Sequence, residues 1–398
     1  MRMRGAGSSP RGRDISRQDG DQAEGRGLRN WLLGIIGRRG RTEEGGQRGR
    51  GPAIHVVILD GTMSSLDKGR ETNAGQLFKL LCEVSGTANL TVYYEAGIQW
   101  RDWSETIGVM TGKGINRQIE RAYGVLASRY RPGDRIVLAG YSRGAYGVRC
   151  LAGAIGTVGL VEANHATSRN IRQAYRHYQQ GGRGEAALRF RQLYCHGQVE
   201  IEAIGIWDTV KALGFKLPLL WRIGDEKNDF HNHQLGSHVK RGFHALALDE
   251  TREAYAPVQW LATPGWPGHM EQMWFRGNHG DVGGQVFPHP ASRPLANIPL
   301  VWLLGRLEEV GLPLPEGWRD RFPQDVHAPS ISTWAGWAKI FLIRRRRNVV
   351  LGPCDHLHET VLQNPRPSDP TPPRKLITKV EESAPGETVA LAVPAAPA

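Results

Sequence analysis

The sequence is poor in cysteine and has no long apolar run. Its four cysteines lie far apart and form no Cys-x-x-Cys pair, which argues against a disulfide scaffold or a thiolate zinc site and favours a reducing compartment. No apolar stretch approaches the roughly 20 residues that span a bilayer, so no membrane-spanning segment is predicted. A chain of 398 residues, 40% of them hydrophobic, is long enough to bury a core without covalent cross-links.

The two ends of the chain lack a periodic apolar pattern. Residues 1–52 are rich in glycine and arginine, and the first 50 carry twelve arginines against six acidic residues, half of the net charge of +12. Residues 363–398 are rich in proline. Such compositions cannot bury enough apolar surface to offset chain entropy. We therefore predict two disordered tails on either side of one folded domain, residues 53–362.

Inside that domain, strand-like apolar runs alternate with helical patterns. The runs predict strands at 54–59, 90–94, 135–139, 201–207 and 272–275, and helices at 115–130 and 143–156. Strands separated by helices favour a mostly parallel sheet covered on both faces. The predicted fold class is therefore α/β, of the α/β-hydrolase kind.

The segment Gly140-Tyr141-Ser142-Arg143-Gly144 follows a predicted strand and opens a predicted helix, as a nucleophile elbow requires. Such a turn presents the Ser142 hydroxyl at the carboxyl edge of the sheet. It also points the backbone amide of Arg143 toward a developing oxyanion. Tyr141 is a candidate to line the substrate pocket, and the Arg143 side chain is a candidate to hold an anionic group. In a chain with 50 glycines, a purely structural turn remains the alternative.

A serine nucleophile needs a base and an acid that orients the base. Asp208 directly follows one predicted strand and His279 closely follows another, so both are expected at the same sheet edge as Ser142. The chain order Ser, Asp, His is the order found in α/β-hydrolases. Asp281 is an alternative acid, and His358 is an alternative base.

Asp60-Gly61-Thr62 follows the first predicted strand of the domain. The amides of Gly61 and Thr62 are candidates for the second oxyanion donor, with a plain turn as the alternative. His231 and His233 lack a third ligand at zinc-site spacing. We therefore predict no metal and no cofactor, although acidic loops at one edge would also suit a calcium ion.

These segments together resemble one family, the DUF2235 α/β-hydrolase domains, which include the Tle1-type phospholipase effectors of type VI secretion. The resemblance covers roughly residues 55–310. It rests on ILDGT (58–62), LAGYSRGAYGVRCLAG (138–153), IGIWDTVKALG (204–214), HALALDETREAY (244–255) and MWFRGNHGDVGG (273–284) in that order. It implies that Ser142 is the nucleophile of the GxSRGA motif, Asp208 the acid of WDTV and His279 the base of HxDVGG.

The residues and the resemblance together predict a serine hydrolase that cleaves carboxylic esters through an acyl-enzyme. The resemblance implies phospholipid as the substrate, and a bacterial protein exported from the cytoplasm by a non-Sec route to act on membranes. We expect peripheral contact of the arginine-rich tail with anionic membranes, and no specific nucleic-acid partner. The alternatives are a catalytically silent hydrolase fold that serves as an interaction module, and a binder of anionic surfaces or nucleic acid through the tail.

Overall fold

The fold is known from a computed structural model, which describes only part of the chain. The described residues are 41–44, 51–97, 113–210, 234–261, 265–334, 343–347, 349, 351–367 and 369–370. Within them, no helix is long and apolar enough to cross a membrane.

The described residues contain eight strands that form one sheet. The strands are β1 (Arg41–Glu44), β2 (Ile54–Leu59), β3 (Leu90–Glu95), β4 (Arg135–Tyr141), β5 (Ala203–Trp207), β6 (Arg241–Ala247), β7 (His269–Phe275) and β8 (Asp355–Leu357). Their order across the sheet is β1-β3-β2-β4-β5-β6-β7-β8. Strands β2 to β8 all run parallel, and only β1 pairs antiparallel, with β3. The carboxyl ends of seven strands therefore meet at one edge.

Helices cover both faces of the sheet. They are α1 (Asn73–Val84), α2 (Lys113–Arg129), α3 (Arg143–Val158), α4 (Ser168–Gln179), α5 (Glu185–Tyr194), α6 (His279–Gly283), α7 (Arg293–Glu309) and α8 (Glu359–Gln363). One buried cluster joins the sheet to α2, α3, α4 and α5, and a second joins the other face to α1 and α7. The predicted α/β class is confirmed.

Strand β2 shows how the sequence produces two cores. Its apolar run is continuous, and successive side chains of a strand point to opposite faces. Val57 and Leu59 accordingly belong to the cluster under α2 and α3, whereas Val56 and Ile58 belong to the cluster under α1 and α7. A strand buried on both faces can therefore lie at the centre of the sheet.

Two short segments differ from the predicted tails. Residues 41–44, which we place in the N-terminal tail from composition, form the edge strand β1. An edge strand bonds to a single neighbour through its backbone, so it needs no apolar pattern. At the other end, buried Arg276 binds Asp369 through Nη2 at 2.6 Å and also the carbonyl oxygen of Asn364 at 2.6 Å. A buried guanidinium needs such partners, so this part of the predicted C-terminal tail is bound to the domain.

Candidate active site

Ser142 lies at a sharp turn between β4 and α3. Its backbone has φ 58° and ψ −122°, a conformation that ordinary residues rarely adopt and that functional sites often contain. The turn needs the flanking glycines, because a Cβ on Gly140 would lie 2.8 Å from the Ala145 nitrogen and one on Gly144 would collide with the Leu59 carbonyl oxygen. The structure therefore has the strand–turn–helix context expected of a nucleophile elbow, with Ser142 at the carboxyl edge.

His279 is the first residue of the short helix α6, which follows β7. Asn278 caps this helix in a capping box with Asp281, and the cap fixes where the histidine emerges. His279 Nε2 lies 2.8 Å from Ser142 Oγ. The histidine is 4% exposed and the serine 6%, so this hydrogen bond is shielded from bulk water.

Asp208 follows β5 and faces the other nitrogen of the histidine. Its Oδ2 lies 2.6 Å from His279 Nδ1. The carboxylate is fully buried, and its backbone has a positive φ of 35°. With Asp208 accepting from Nδ1–H, Nε2 is left to accept a proton from the serine hydroxyl. The structure thus brings together the three residues that sequence analysis selected from separate strand ends.

Arg347 binds the same carboxylate from the opposite side. Its Nη1 donates to Asp208 Oδ1 at 2.6 Å and its Nη2 donates to Oδ2 at 2.8 Å, a bidentate pair. The two nitrogens also donate to the carbonyl oxygens of Ala247 and Tyr255, each at 2.6 Å. This arginine therefore ties Asp208 to the end of β6 and to the turn at Tyr255.

A second ion pair supports the histidine from its backbone side. Glu250 Oε2 accepts from the His279 backbone N–H at 3.2 Å and from Arg252 Nη2 at 2.6 Å. The Arg252 guanidinium lies over the Tyr255 ring, 3.8 Å from its centre, and that ring meets the His279 imidazole edge-on at 4.7 Å. The imidazole is thus restrained on its ring faces as well as at its nitrogens.

Burial and neighbouring charges set the ionisation of this group. Burial alone would raise the pKa of the Asp208 carboxyl, but the Arg347 guanidinium and the His279 hydrogen bond hold that pKa well below its ordinary value. Burial lowers the pKa of His279, and its hydrogen bond to Asp208 offsets only part of this effect. At neutral pH the carboxylate is therefore charged and the imidazole is neutral, as a general base must be.

The loop after β2 lies beside the serine. A Cβ built on Gly61 would be 3.4 Å from Ser142 Cβ. The Gly61 N–H, however, donates to the Asp60 carboxylate at 2.6 Å, so in this structure it is not available to an oxyanion. The Thr62 N–H makes no hydrogen bond within the described part of the chain. Of the two predicted oxyanion donors, the geometry favours the Thr62 amide, because the Gly61 amide is already bound to the Asp60 side chain.

Tyr141 and Arg143, the two neighbours of Ser142 in the chain, differ in how deeply their side chains are buried. Tyr141, a candidate to line the pocket, is instead fully buried; its hydroxyl donates to the His279 carbonyl oxygen at 3.1 Å. It supports the histidine and offers no surface to a substrate, because its ring fills the space beside two glycines, Gly61 and Gly283. Arg143 is half-buried, burial lowers the pKa of its guanidinium, and no described carboxylate pairs with it.

The two alternative residues make other contacts. Asp281 accepts from the Asn278 N–H at 2.9 Å and from the Ile331 N–H at 3.0 Å, and the Ser330 hydroxyl also donates to it. His358 caps α8 and stacks on Phe275 with ring centres 4.6 Å apart. The hydrogen bond to Ser142 Oγ is made by His279 and the one to His279 Nδ1 by Asp208, so the structure favours these two residues over the alternatives.

The described residues contain no group of three or more histidine, cysteine or acidic side chains that could hold a metal ion. The carboxylate of Asp60, one of the acidic groups at this edge, accepts hydrogen bonds from protein groups. The hydroxyls of Thr72 and Tyr94 donate to its Oδ2 at 2.6 and 2.7 Å. The pair His231 and His233 lies outside the described residues.

Comparison with known proteins gives the family. A family model for the catalytic domain of Tle1-like phospholipase effectors of the type VI secretion system matches residues 54–306, more than half of the chain. The chain belongs to this family. The Tle1-like match includes Ser142, Asp208 and His279, and it ends before Arg347.

Individual relatives of this Tle1-like chain are distant. An uncharacterized protein of Saccharomyces cerevisiae is 24% identical over 294 residues, which are 66% of this chain and 41% of that protein. A solved Tle1 effector bound to the VgrG spike is 17% identical, with a TM-score of 0.37, and the match covers 59% of this chain and 51% of the effector. Esterase 2 of Thermogutta terrifontis is 13% identical, with a TM-score of 0.37, covering 70% and 91%. The chain thus spans about half the length of the first two.

Sequence reasoning missed four residues of the candidate site. Glu250, Arg252 and Tyr255 lie in the segment HALALDETREAY, which contributes to the family resemblance without pointing to a role for these three residues. An acid and an arginine two residues apart after a strand were the available signal. Arg347 gave no usable signal, because it is one of four consecutive arginines at 344–347, a pattern typical of a solvated surface.

Proposed function

We propose that this chain is a serine hydrolase that cleaves carboxylic esters of phospholipids. The observation that carries the proposal is the continuous hydrogen-bonded line from Ser142 Oγ through His279 to Asp208, with distances of 2.8 and 2.6 Å. Nucleophile, base and orienting acid within hydrogen-bond reach are the geometric signature of nucleophilic acyl transfer. The phospholipid part of the proposal is supported by membership in a phospholipase effector family.

The proposed reaction has two steps. In the first, His279 Nε2 takes the hydroxyl proton as Ser142 Oγ attacks the ester carbonyl carbon, and the same proton then passes to the leaving alcohol. In the second, His279 takes a proton from water, which attacks the acyl-enzyme, and returns the proton to Ser142 as the fatty acid leaves. Asp208 holds the Nδ1–H tautomer throughout and stabilises the imidazolium that forms in each step.

The oxyanion of each step needs donors that point at the carbonyl oxygen. The Arg143 amide is the first of helix α3, so it has no acceptor inside the helix and lies at the positive end of the helix dipole. We propose the Thr62 amide as the second donor, since the Gly61 amide is bound to Asp60. Loss of one such donor typically costs 10²–10³ in kcat.

The Arg143 side chain has the chemistry to select an anionic substrate. It is half-buried beside the nucleophile, and no carboxylate of the described residues neutralises it. The planar fork of donors on a guanidinium matches the oxygens of a phosphate. We therefore assign the substrate phosphate to Arg143.

The decisive experiment compares the wild type with Ser142→Ala. Both proteins are incubated with vesicles of phosphatidylethanolamine and phosphatidylglycerol, and released fatty acid and lysophospholipid are measured by mass spectrometry. We expect the variant to lose at least about 10³-fold in rate with unchanged thermal unfolding. A fluorophosphonate probe should label the wild type at this serine only. Ser128→Ala, which removes an exposed hydroxyl of α2, is the matched control. Equal activity of Ser142→Ala and the wild type would refute the proposal.

A further inference from the structure

Arg347 is the most unusual charge in the site. Its side chain is 4% exposed, and its two terminal nitrogens make four hydrogen bonds of 2.6 to 2.8 Å. It comes from an irregular segment more than 40 residues beyond the end of the family match. Breaking a pair buried this deeply is strongly destabilising, because it leaves an uncompensated charge in the interior.

All the bonds of the Asp208 carboxylate are accounted for. Oδ1 accepts from Arg347 Nη1 and from the Ala247 backbone N–H, the latter at 2.9 Å, and Oδ2 accepts from Arg347 Nη2 and from His279 Nδ1. Rotation of the carboxylate about its Cβ–Cγ bond would break the bidentate pair. Arg347 therefore fixes the plane in which Oδ2 meets the imidazole.

The charges around His279 balance in pairs. The groups that face it are the carboxylate of Asp208 with Arg347 behind it, the carboxylate of Glu250 at its backbone N–H with Arg252 beside it, and the rings of Tyr141 and Tyr255. Each carboxylate has its own guanidinium. Without Arg347, one negative charge next to the imidazole would be uncompensated, and His279 would hold a proton more tightly.

We propose that Arg347 is a positioning residue for the reaction, which acts through Asp208 by fixing the carboxylate against His279 Nδ1 and by balancing its charge. This inference rests on the proposed function, since it needs His279 to be the base. The positive charge of Arg347 makes His279 a weaker base, so the imidazole stays unprotonated down to a lower pH. Loss of Arg347 should therefore change the pH at which the reaction works and also its maximal rate.

The test measures kcat/KM of the full chain on a soluble short-chain ester between pH 4.5 and 9. For Arg347→Met we expect the acidic limb to move to higher pH by about one unit or more, the size expected for one charge at this range. We also expect the plateau to fall by roughly 10-fold or more, because the carboxylate can now rotate. Arg347→Lys keeps the charge but cannot make the bidentate pair, so the plateau should fall while the limb shifts much less.

Arg306→Met is the matched control. Arg306 pairs with Glu271 at 2.9 Å near the start of β7, at the opposite end of the strand from His279, so its loss should leave the limb in place. A limb unchanged in Arg347→Met, with activity reduced equally at every pH, would overturn the inference and indicate a merely structural role. Ester cleavage and probe labelling that persist without Ser142 would instead refute the proposed function. Should Arg347→Met fail to fold, the probe-labelling rate of Arg347→Lys against pH decides: a plateau equal to that of the wild type overturns the inference.

Discussion

Replacement of Asp60 by Asn should change how the stability of the protein depends on pH. Asp60 is buried at the end of β2, beside the proposed oxyanion loop, and it accepts hydrogen bonds from the Gly61 amide and the Thr72 and Tyr94 hydroxyls. These donors lower its pKa, but burial prevails and raises it from the ordinary 3.8 to about 6. The carboxyl is therefore easier to ionise in the unfolded chain than in the folded protein.

The sign and size of the effect follow from linkage. Between about pH 4 and 6 the folded protein retains a proton on Asp60 that the unfolded chain has released, so the free energy of unfolding falls as pH rises through this window. The rise in pKa from 3.8 to about 6 corresponds to about 3 kcal/mol, at 1.36 kcal/mol per pH unit. Full burial means that solvent screening does not reduce this figure. The contribution is complete below pH 4 and lost above pH 6.

The measurement is chemical denaturation of the wild type and Asp60→Asn at five pH values from 4 to 8. Asn cannot ionise, so the unfolding free energy of the variant minus that of the wild type should grow by about 3 kcal/mol between pH 4 and 7. The side-chain amide introduced by Asp60→Asn cannot accept the hydrogen bonds from the two hydroxyls, and this loss lowers the unfolding free energy of the variant. Because the loss is the same at every pH, it does not affect how the difference between the two proteins changes with pH. Asp67→Asn, which removes an exposed carboxylate of the same loop, provides the baseline. A difference that stays constant from pH 4 to 8, or falls with pH, would refute the reasoning.

Two further substitutions test the supports of the site. Gly144→Ala should destabilise the protein by roughly 3 kcal/mol or more, because the new Cβ collides with a backbone carbonyl of β2, whereas Gly86→Ala, where the space is open, should be nearly neutral in thermal unfolding. Glu250→Gln should lower the unfolding free energy by roughly 3 kcal/mol, because it leaves the guanidinium of Arg252 buried without its carboxylate; an unchanged denaturation midpoint would show that this ion pair contributes little.

The parts of the site that the sequence predicts share one physical property. Ser142, Asp208 and His279 each follow a parallel strand, and parallel strands end at a common edge. A local pattern of strand and turn is therefore enough to predict that they are neighbours, without knowledge of any side-chain contact. The same logic predicts the neighbourhood of Gly61 and Thr62, which follow β2.

The parts that the sequence does not predict depend on contacts between distant or irregular segments. The Gly61 amide was a candidate donor, but whether Asp60 captures it depends on side-chain rotamers that no pattern encodes. Arg347 reaches Asp208 across 139 residues from a segment without regular structure. Among the described strands, β1 pairs through its backbone with β3 alone, and such pairing does not require an apolar strand period in its sequence. In each case the deciding interaction is tertiary.

The pairing of charges gives the site a simple electrostatic logic. In the resting state the buried ions that face His279 form two pairs, Asp208 with Arg347 and Glu250 with Arg252, and His279 is neutral. In the proposed reaction, attack of Ser142 creates two new charges together, an imidazolium and an oxyanion, so the net charge of the region does not change as the transition state forms. A buried carboxylate without its guanidinium would add an uncompensated charge beside this new pair, which is costly in a buried region. A guanidinium behind the carboxylate that orients the proposed base therefore has two effects: it reduces the pull of Asp208 on the imidazole, and it removes one uncompensated negative charge from the surroundings of the oxyanion.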